Sequence, residues 1–371
     1  MNANFHALIL AGGIGARLWP KSRRSRPKQF LRLSKTKSLL QGTMERVEAL
    51  LPQKNIWVVC KPYQRDEVIQ QIPDVRESNI IVEPCPKGTA AAVLLGTMTI
   101  ERHDPDAVIS VFPSDHFVSP MEKFIDTLRV GMEWAKQTCS VVIYGIRPSG
   151  PETSYGYIET GGTAGGCGGL SCMEVTNFHE KPDPRTAKAY FQSNRFLWNS
   201  GMLSFSVAVM KMLLEKEPFR IWAPLSEIIP QGRHDPERTL ELYARLPDDA
   251  FDTAVLERLA RCDGRSGAPD VPALVVFPCD FQWLDLGVWE SHYKMLEKDE
   301  NGNAVSGRAL VLDSKGSLVI SEGRRLIGAI GLRDMVVVCV EDAVLVCPRK
   351  ELYRVRELVE ALKKSDYEDY V

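Results

Sequence analysis

Ala7-Leu-Ile-Leu-Ala-Gly-Gly-Ile-Gly-Ala-Arg-Leu-Trp-Pro-Lys-Ser-Arg23 is the stretch on which the reading of this chain turns. Its opening residues form an apolar β run. The backbone that follows Ala11, bare at Gly12, Gly13 and Gly15, can approach an anion closely and point N–H groups at it. Arg17 and Lys21 add positive charge beside those amides. The pattern is not a P-loop, because no Gly-Lys-Ser/Thr follows, and it fails the dinucleotide fingerprint, because Leu18 stands where that motif needs its third glycine. Pro27-Lys-Gln-Phe30 comes next, so that Arg17, Lys21, Arg23, Arg24, Arg26 and Lys28 crowd into one segment. Glycine spacing alone is matched equally well by a tight strand-to-loop turn, and the basic run alone is better matched by a solvated loop. Together they point to a phosphate-bearing ligand.

Working outward, the 371-residue chain balances 46 Lys and Arg against 48 Asp and Glu, so no global positive field drives nucleic-acid binding. Any anion must be met locally. A composition 44% hydrophobic and 25% charged excludes a disordered or collagen-like chain. The length exceeds the roughly 100–200 residues of one domain, which predicts a large core domain with an appendage. Nine scattered cysteines, an odd number without Cys-x-x-Cys, argue against a zinc site or a disulfide framework. No basic segment leads into a signal core at the amino terminus, and no apolar run approaches the ~18 residues of a membrane span. The expectation is a cytoplasmic protein with no membrane partner.

Ala7–Leu10, Ile56–Cys60, Ile80–Val82, Val108–Phe112 and Val141–Tyr144 read as strands. Between them Leu40, Met44, Val47 and Leu51 fall on one helical face, as do Phe124, Leu128, Met132 and Ala135. This alternation predicts a doubly wound α/β sheet. Tyr155–Glu159 and Met173–Glu180 read as strands around the run Gly161–Gly169, which reads as a flexible hairpin loop. Helices are expected over Asp183–Phe191 and most of Arg233–Arg261. Beyond the Trp-rich segment 283–298, Ala309–Leu312, Leu318–Ser321, Leu326–Ile330, Met335–Val340 and Ala343–Cys347 recur at nearly even spacing, the pattern of a small β solenoid. A helix over Leu352–Lys363 closes the chain, with the charged tail Lys363–Val371 expected to fray. The division expected is 1–293 and 294–371.

The first motif with Pro27-Lys-Gln-Phe30 resembles the nucleoside-triphosphate signature of sugar nucleotidyltransferases, in particular mannose-1-phosphate guanylyltransferases. The resemblance continues in order through Glu83-Pro and Lys87-Gly-Thr-Ala, Pro113-Ser-Asp-His116, Glu152-Thr-Ser-Tyr-Gly-Tyr-Ile158, Phe178-His-Glu-Lys-Pro182, Trp198-Asn-Ser-Gly-Met202 and Trp283-Leu-Asp-Leu-Gly287. It implies a Rossmann-like, doubly wound mixed-sheet α/β catalytic domain of GT-A type, followed by a small left-handed β-helix-like domain. The implied reaction joins GTP and mannose 1-phosphate into GDP-mannose and pyrophosphate, with Mg2+ as cofactor. By the same resemblance Ala11, Gly12, Gly13, Gly15, Glu83, Lys87, Thr89 and Ser114 surround the nucleotide, while Gly156, Tyr157, Glu180, Lys181 and Asn199 surround the sugar phosphate. Arg17, Lys28, Asp115 and Asp285 are the implied catalytic residues, the two aspartates as metal ligands.

These assignments have a physical side. Asp115 follows a strand, and in open α/β sheets ligands sit at the carboxyl ends of strands. Nucleotide-bound magnesium takes one or two carboxylates besides phosphate oxygens. Each aspartate alone reads better as a turn or cap residue, and only the resemblance pairs them as metal ligands. His116 reads as structural, since a phosphate nucleophile needs no base, and Phe196, Trp198 and Phe205 read as core. The family's Arg-Asn-Thr-Ala is Lys87-Gly-Thr-Ala here, its Glu-Thr-Gly-Tyr-Gly carries Ser154, and its Asp-Trp-Ser-Asp-x-Gly-Ser-Trp becomes Gln282-Trp-Leu-Asp-Leu-Gly-Val-Trp289. These departures fall around the base and sugar pockets, so another base or hexose, or a binding module without turnover, stays open. Strand edges in the tail leave a homodimer open as well.

Overall fold

The computed structural model describes residues 4–13, 15–32, 37–217, 219–225, 236–262 and 271–371. The chain forms two compact units, the first made of Met1–Gly12, Gln41–Ser114 and Val118–Trp283, the second of Gly13–Leu40, Asp115–Phe117 and Leu284–Val371. Among the described residues no helix is long and apolar enough to cross a membrane.

The first unit is built on β1 (Phe5–Leu10), β2 (Ile56–Cys60), β3 (Ile80–Val82), β4 (Val108–Pro113), β5 (His116–Ser119), β6 (Ser140–Ile146), β7 (Tyr157–Cys167), β8 (Leu170–His179), β9 (Phe196–Ser206) and β10 (Ala273–Cys279), except that His116 and Phe117 of β5 are counted in the second. All but β5 join one nine-stranded sheet in the order β3-β2-β1-β4-β9-β6-β10-β8-β7. The β1–β4 half is parallel, as the apolar runs predict, because strands buried on both faces need no alternation. β9 inserts antiparallel to both β4 and β6, making the sheet mixed. Helix α1 (Leu39–Glu48) and, later in the chain, Met121–Gln137 carry the apolar faces expected, and Leu40, Met44, Phe124, Leu128 and Met132 are buried. Thr89–Glu101 is instead buried nearly all round, with Ala90, Ala91 and Ala92 packed in the main core. Its Gly96 leaves no room for a side chain, since a Cβ there would meet Leu8 Cδ2 at 2.4 Å.

The glycine run corrects the expectation of a flexible loop. β7 continues through Gly161–Gly166, and Gly166 and Cys167 pair with Ser171 and Leu170 of β8. Only Gly168 and Gly169 turn, at φ +56° and +82°, the two left-handed residues of a tight hairpin. A Cβ at Gly165 would lie 2.4 Å from Trp134 Cη2, so bare backbone there serves close packing inside a strand. Asp183 caps the helix Pro184–Ser193 by accepting from the Arg185 and Thr186 amides. Of the expected helix Arg233–Arg261, the first residues lie outside those described. The remainder is Pro236–Ala244, a π-turn at Asp252–Leu256 and Glu257–Cys262.

In the second unit, β strands Ala304–Ser306, Leu318–Ser321 and Met335–Cys339 stack in parallel, joined antiparallel by Val344–Pro348, and Ala309–Leu312 pairs with Ile327–Ile330. The first two stacked strands are offset by 14 residues, Ala304 against Leu318, and the later coils by 18, as where the Leu332 amide donates to Ser314 Oγ and the Met335 amide to Ser317 Oγ. This is the solenoid expected from the spacing. The final helix is Val355–Leu362, shorter than expected because Arg349–Arg354 winds as 3-10 turns. The tail does not fray as expected. Trp19 Nε1 donates to the Tyr370 carbonyl at 2.8 Å, and Val371 packs against a core of Leu18, Trp19, Leu31, Trp289, Val355 and Val359. Its anchor is distant in sequence, beyond the reach of local pattern.

Three buried hydroxyls tie the central strands of the first unit together: Ser204 Oγ of β9 lies 2.5 Å from Ser110 Oγ of β4 and 2.7 Å from Tyr144 Oη of β6. Ser204→Ala should therefore lower unfolding free energy by about 1–3 kcal/mol in urea titration, since it takes a partner from two buried hydroxyls, leaving Tyr144 Oη only a long bond to the Leu128 carbonyl and the neighbouring Ser110. A loss no larger than that of an exposed serine would show that the relay contributes nothing.

Candidate functional site

The second unit holds one constellation. Gly15, at φ +79°, lets the Lys28 side chain lie against the loop, for a Cβ there would approach Lys28 Cβ to 2.6 Å. A Cβ on Gly13 would make only ordinary contact with Lys28, 3.4 Å from its Cε. Lys28 Nζ hydrogen-bonds Asp115 Oδ2, and Arg17 Nη2 lies 3.7 Å from Asp285 Oδ2. The amide of Gly287 donates to Asp285 Oδ1 at 2.8 Å, and the Leu286 amide to the Asp115 carbonyl at 3.3 Å, which locks the two aspartate-bearing segments together. Asp115, His116 and Asp285 each offer a ligand atom within 4.8 Å of the others. Burial opposes charge on Asp115 and on Lys28 alike. Each is overruled by the other, so the Asp115 carboxyl is held well below its ordinary pKa and the Lys28 ammonium above its own.

The same unit divides the basic segment. Arg23 makes a bidentate pair with Asp342 at 2.6 Å on both arms, and Lys21 and Arg26 lie 3.4 and 3.6 Å from Glu322 Oε1. The crowding of cations that the sequence suggested for one anion is therefore corrected: Lys21, Arg23 and Arg26 meet acids of the β-rich coils, and Arg17 and Lys28 face the aspartates.

The first unit contains two further groups. At the end of β1, Ala11 is fully buried and its amide bonds the Val59 carbonyl at 2.9 Å. A Cβ on Gly12 would stand 3.3 Å from Glu83 Oε2, and Tyr243 Oη donates to Glu83 Oε1 at 2.8 Å. Burial pushes the Glu83 carboxyl up to about 7 despite Tyr243 and Lys61, which favour its charge. Lys87 Nζ reaches the Leu246 carbonyl at 2.7 Å, and Thr89 Oγ1 accepts from the Phe251 amide at 2.9 Å. Any side chain at Gly88 would collide with Asp249, whose carbonyl lies 2.1 Å from the Cβ position. Ser114 is buried just past β4.

The second group gathers Gly156, Glu180, Lys181 and Asn199. A Cβ at Gly156 would fall 2.6 Å from Glu180 Oε2 and 3.4 Å from Asn199 Cβ. Lys181 bonds Glu180 and is held at φ +47°, a strained value for a non-glycine residue. Asn199 Nδ2 donates to Asp252 Oδ1 at 2.6 Å. Tyr157 is not brought to this group through its ring, which is fully buried against Tyr190 and Phe196. Phe196, Trp198 and Phe205 are core residues, as read from the sequence.

A nucleotidyl transferase family profile matches residues 6–302, and a MannoseP isomerase/GMP-like beta-helix domain matches 307–362. The chain belongs to the sugar-1-phosphate nucleotidyltransferase family. This nucleotidyltransferase is 34% identical over 370 residues to a mannose-1-phosphate guanylyltransferase of Klebsiella pneumoniae, covering 98% of its own length and 75% of the relative's. It is 35% identical over 363 residues to the xanthan biosynthesis protein XanB of Xanthomonas campestris pv. campestris, covering 96% and 73%. A solved structure from Thermus thermophilus, described as a mannose-1-phosphate geranyltransferase, superposes with a TM-score of 0.80 at 32% identity, covering 97% and 99% of the two chains.

Sequence reasoning missed Tyr243 and Asp252 in this nucleotidyltransferase, because both sit in a segment whose helical pattern carries no motif. Tyr243 is fully buried, and a buried hydroxyl so placed needs a partner. The Glu83 site yields a pH test. Its folded pKa lies above the unfolded 4.5, so ionisation of the unfolded chain draws stability away between about pH 4.5 and 7. Glu83→Gln, neutral throughout, should gain stability over wild type across that window and nothing below it, as read by thermal melts. A pH-independent difference would refute the assignment.

Proposed function

We propose that the chain transfers GMP from GTP to mannose 1-phosphate, forming GDP-mannose and pyrophosphate. The reading rests most on the constellation of Arg17, Lys28, Asp115 and Asp285, in a chain similar over nearly its whole length to a mannose-1-phosphate guanylyltransferase. A sugar-phosphate oxygen attacks the α-phosphorus in line. The bond from that phosphorus to its bridging oxygen breaks, and pyrophosphate leaves with the electron pair. The nucleophile is ionised at neutral pH, so positioning and charge compensation carry the step.

Asp115 and Asp285 suit a hard divalent cation, being two carboxylates whose oxygens converge within 4.8 Å of each other and of a His116 ring nitrogen. Bound there, Mg2+ would neutralise phosphate charge. Arg17 and Lys28 answer the charge on the departing pyrophosphate. Gly12, Gly13 and Gly15 bring backbone amides to the phosphates, and Glu83 accepts from the donor edge of the base. Lys181 serves as counterion to the incoming sugar phosphate, and Asn199 and Glu180 bind the hexose. A cytoplasmic setting goes with these substrates.

A second reading keeps the reaction and changes the base. It draws on Gly88, where the chain at Asp249 crosses so closely that the family's asparagine has no space. Pyrophosphate release across a panel of nucleoside triphosphates and hexose 1-phosphates separates the two. Preference for GTP with mannose 1-phosphate supports the first, and another preferred pair replaces it. In the same assay Asp285→Ala should lose roughly 100-fold or more in turnover while the chain stays folded by circular dichroism. Near-normal turnover would remove Asp285 from the metal site.

A further inference from the structure

Asp252 opens a single π-turn, Asp252–Leu256, a kind of turn that recurs at functional sites. Ala254, Val255 and Leu256 are buried, which seats the turn in the core while Asp252 stays partly accessible. Its Oδ1 accepts from Asn199 Nδ2 at 2.6 Å, and Asn199 Oδ1 in turn accepts from the Gly201 amide at 3.1 Å. With its oxygen committed to Gly201 and its nitrogen to Asp252, the buried Asn199 amide has one orientation. Among the described residues, Asn199 is the only side chain that donates to Asp252.

The neighbourhood of Asp252 is rich in acceptors and poor in donors. Burial and the nearby Glu180 carboxylate raise the Asp252 pKa to about 6, against the pull of Lys181 and Asn199. Two carboxylates thus share one ammonium, and that ammonium is bonded to Glu180. Gly156 keeps the place clear in which Glu180 lies. A pyranose ring is the complement of such a site, because its hydroxyls offer donors on adjacent carbons. A carboxylate that accepts from a hydroxyl rejects analogues lacking that hydroxyl far more strongly than an apolar wall can.

We propose that Asp252 is a specificity-determining contact for the hexose 1-phosphate, accepting a hydrogen bond from one ring hydroxyl with the oxygen that Asn199 does not use. The proposal rests on the nucleotide-sugar reading above and adds a residue that no motif supplies. Asn199 then acts on the sugar twice, directly through its remaining N–H and indirectly by setting the Asp252 carboxylate.

The test is a substrate cycle at saturating GTP and Mg2+. It compares wild type, Asp252→Asn and Asp252→Ser on mannose 1-phosphate and on its 2-, 3-, 4- and 6-deoxy analogues, by pyrophosphate release. Both variants should raise KM for the sugar phosphate roughly 10- to 100-fold, as loss of a charged hydrogen bond does, and leave KM for GTP within about twofold. One deoxy analogue should cost wild type a similar factor and cost the variants nothing further. Equal losses on every analogue in wild type and variants, or parallel rises in both KM values, would overturn the proposal. Should wild type prefer another nucleotide and hexose pair, the GTP and mannose assignment falls, and the same cycle on deoxy forms of that hexose decides Asp252. Absence of turnover with any pair would overturn both.

Discussion

Trp19 fixes the loop that carries the second unit's candidate site. Its carbonyl accepts from Trp289 Nε1 at 3.0 Å and its own indole donates to the Tyr370 carbonyl at 2.8 Å. Gly13 and Gly15 lie just before this clamp and Lys28 just after it, so a segment rich in glycine is held by indoles and by the Tyr370 carbonyl, far away in sequence. Loops are ordinarily the mobile part of a fold, and a site needing charges at set distances cannot sit on one unless it is pinned. The bidentate pair of Arg23 with Asp342 adds a second pin. Its role explains why several cations follow the glycines: Lys21, Arg23 and Arg26 meet acids of the β-rich coils, and Arg17 and Lys28 face the aspartates.

In the first unit one connecting segment plays the corresponding part. Between Leu246 and Asp252 the chain accepts from Lys87, passes Gly88 at closest approach, accepts from the Ala90 amide through Asp249, donates to Thr89 and ends on the Asn199 amide. The residues assigned to nucleotide and to sugar are thereby fixed by the same few peptide units. This close passage is possible only because residue 88 lacks a Cβ. The departure from the family pattern at that position is the sequence trace of the crossing.

Strands β1 to β3 and the coils of the solenoid were legible because buried parallel strands and even spacing leave strong local patterns. Asp115 and Asp285 could be paired only through resemblance, since 170 residues separate them and nothing local says that the Leu286 amide meets the Asp115 carbonyl. The glycine run misled because glycine has two uses, freedom in a turn and thinness in a packed strand, and composition does not distinguish them. Only Gly168 and Gly169 use the first, while Gly165 uses the second against Trp134. Asp252 left no trace at all: a carboxylate in a polar helical segment looks solvated until a distant strand brings Asn199 to it.

Charge balance separates the two kinds of site in this enzyme. Lys28 with Asp115 and Arg17 with Asp285 are pairs of opposite sign, partly shielded from water. Charges withdrawn from water are costly to leave single, so partners of this kind hold each other in place. Under the proposed reaction a triphosphate with its cation would take over both halves of such a pairing, the cation meeting the aspartates and the phosphates meeting Lys28 and Arg17, without stranding any charge. The group around Asn199 is different. There Glu180 and Asp252 outnumber Lys181, and the excess is in acceptors, which neutral hydroxyls satisfy. Exchange of ionic partners suits a phosphate that must be gripped and then released as pyrophosphate, whereas fixed acceptors suit a sugar ring that must be recognised and stays unchanged through the reaction.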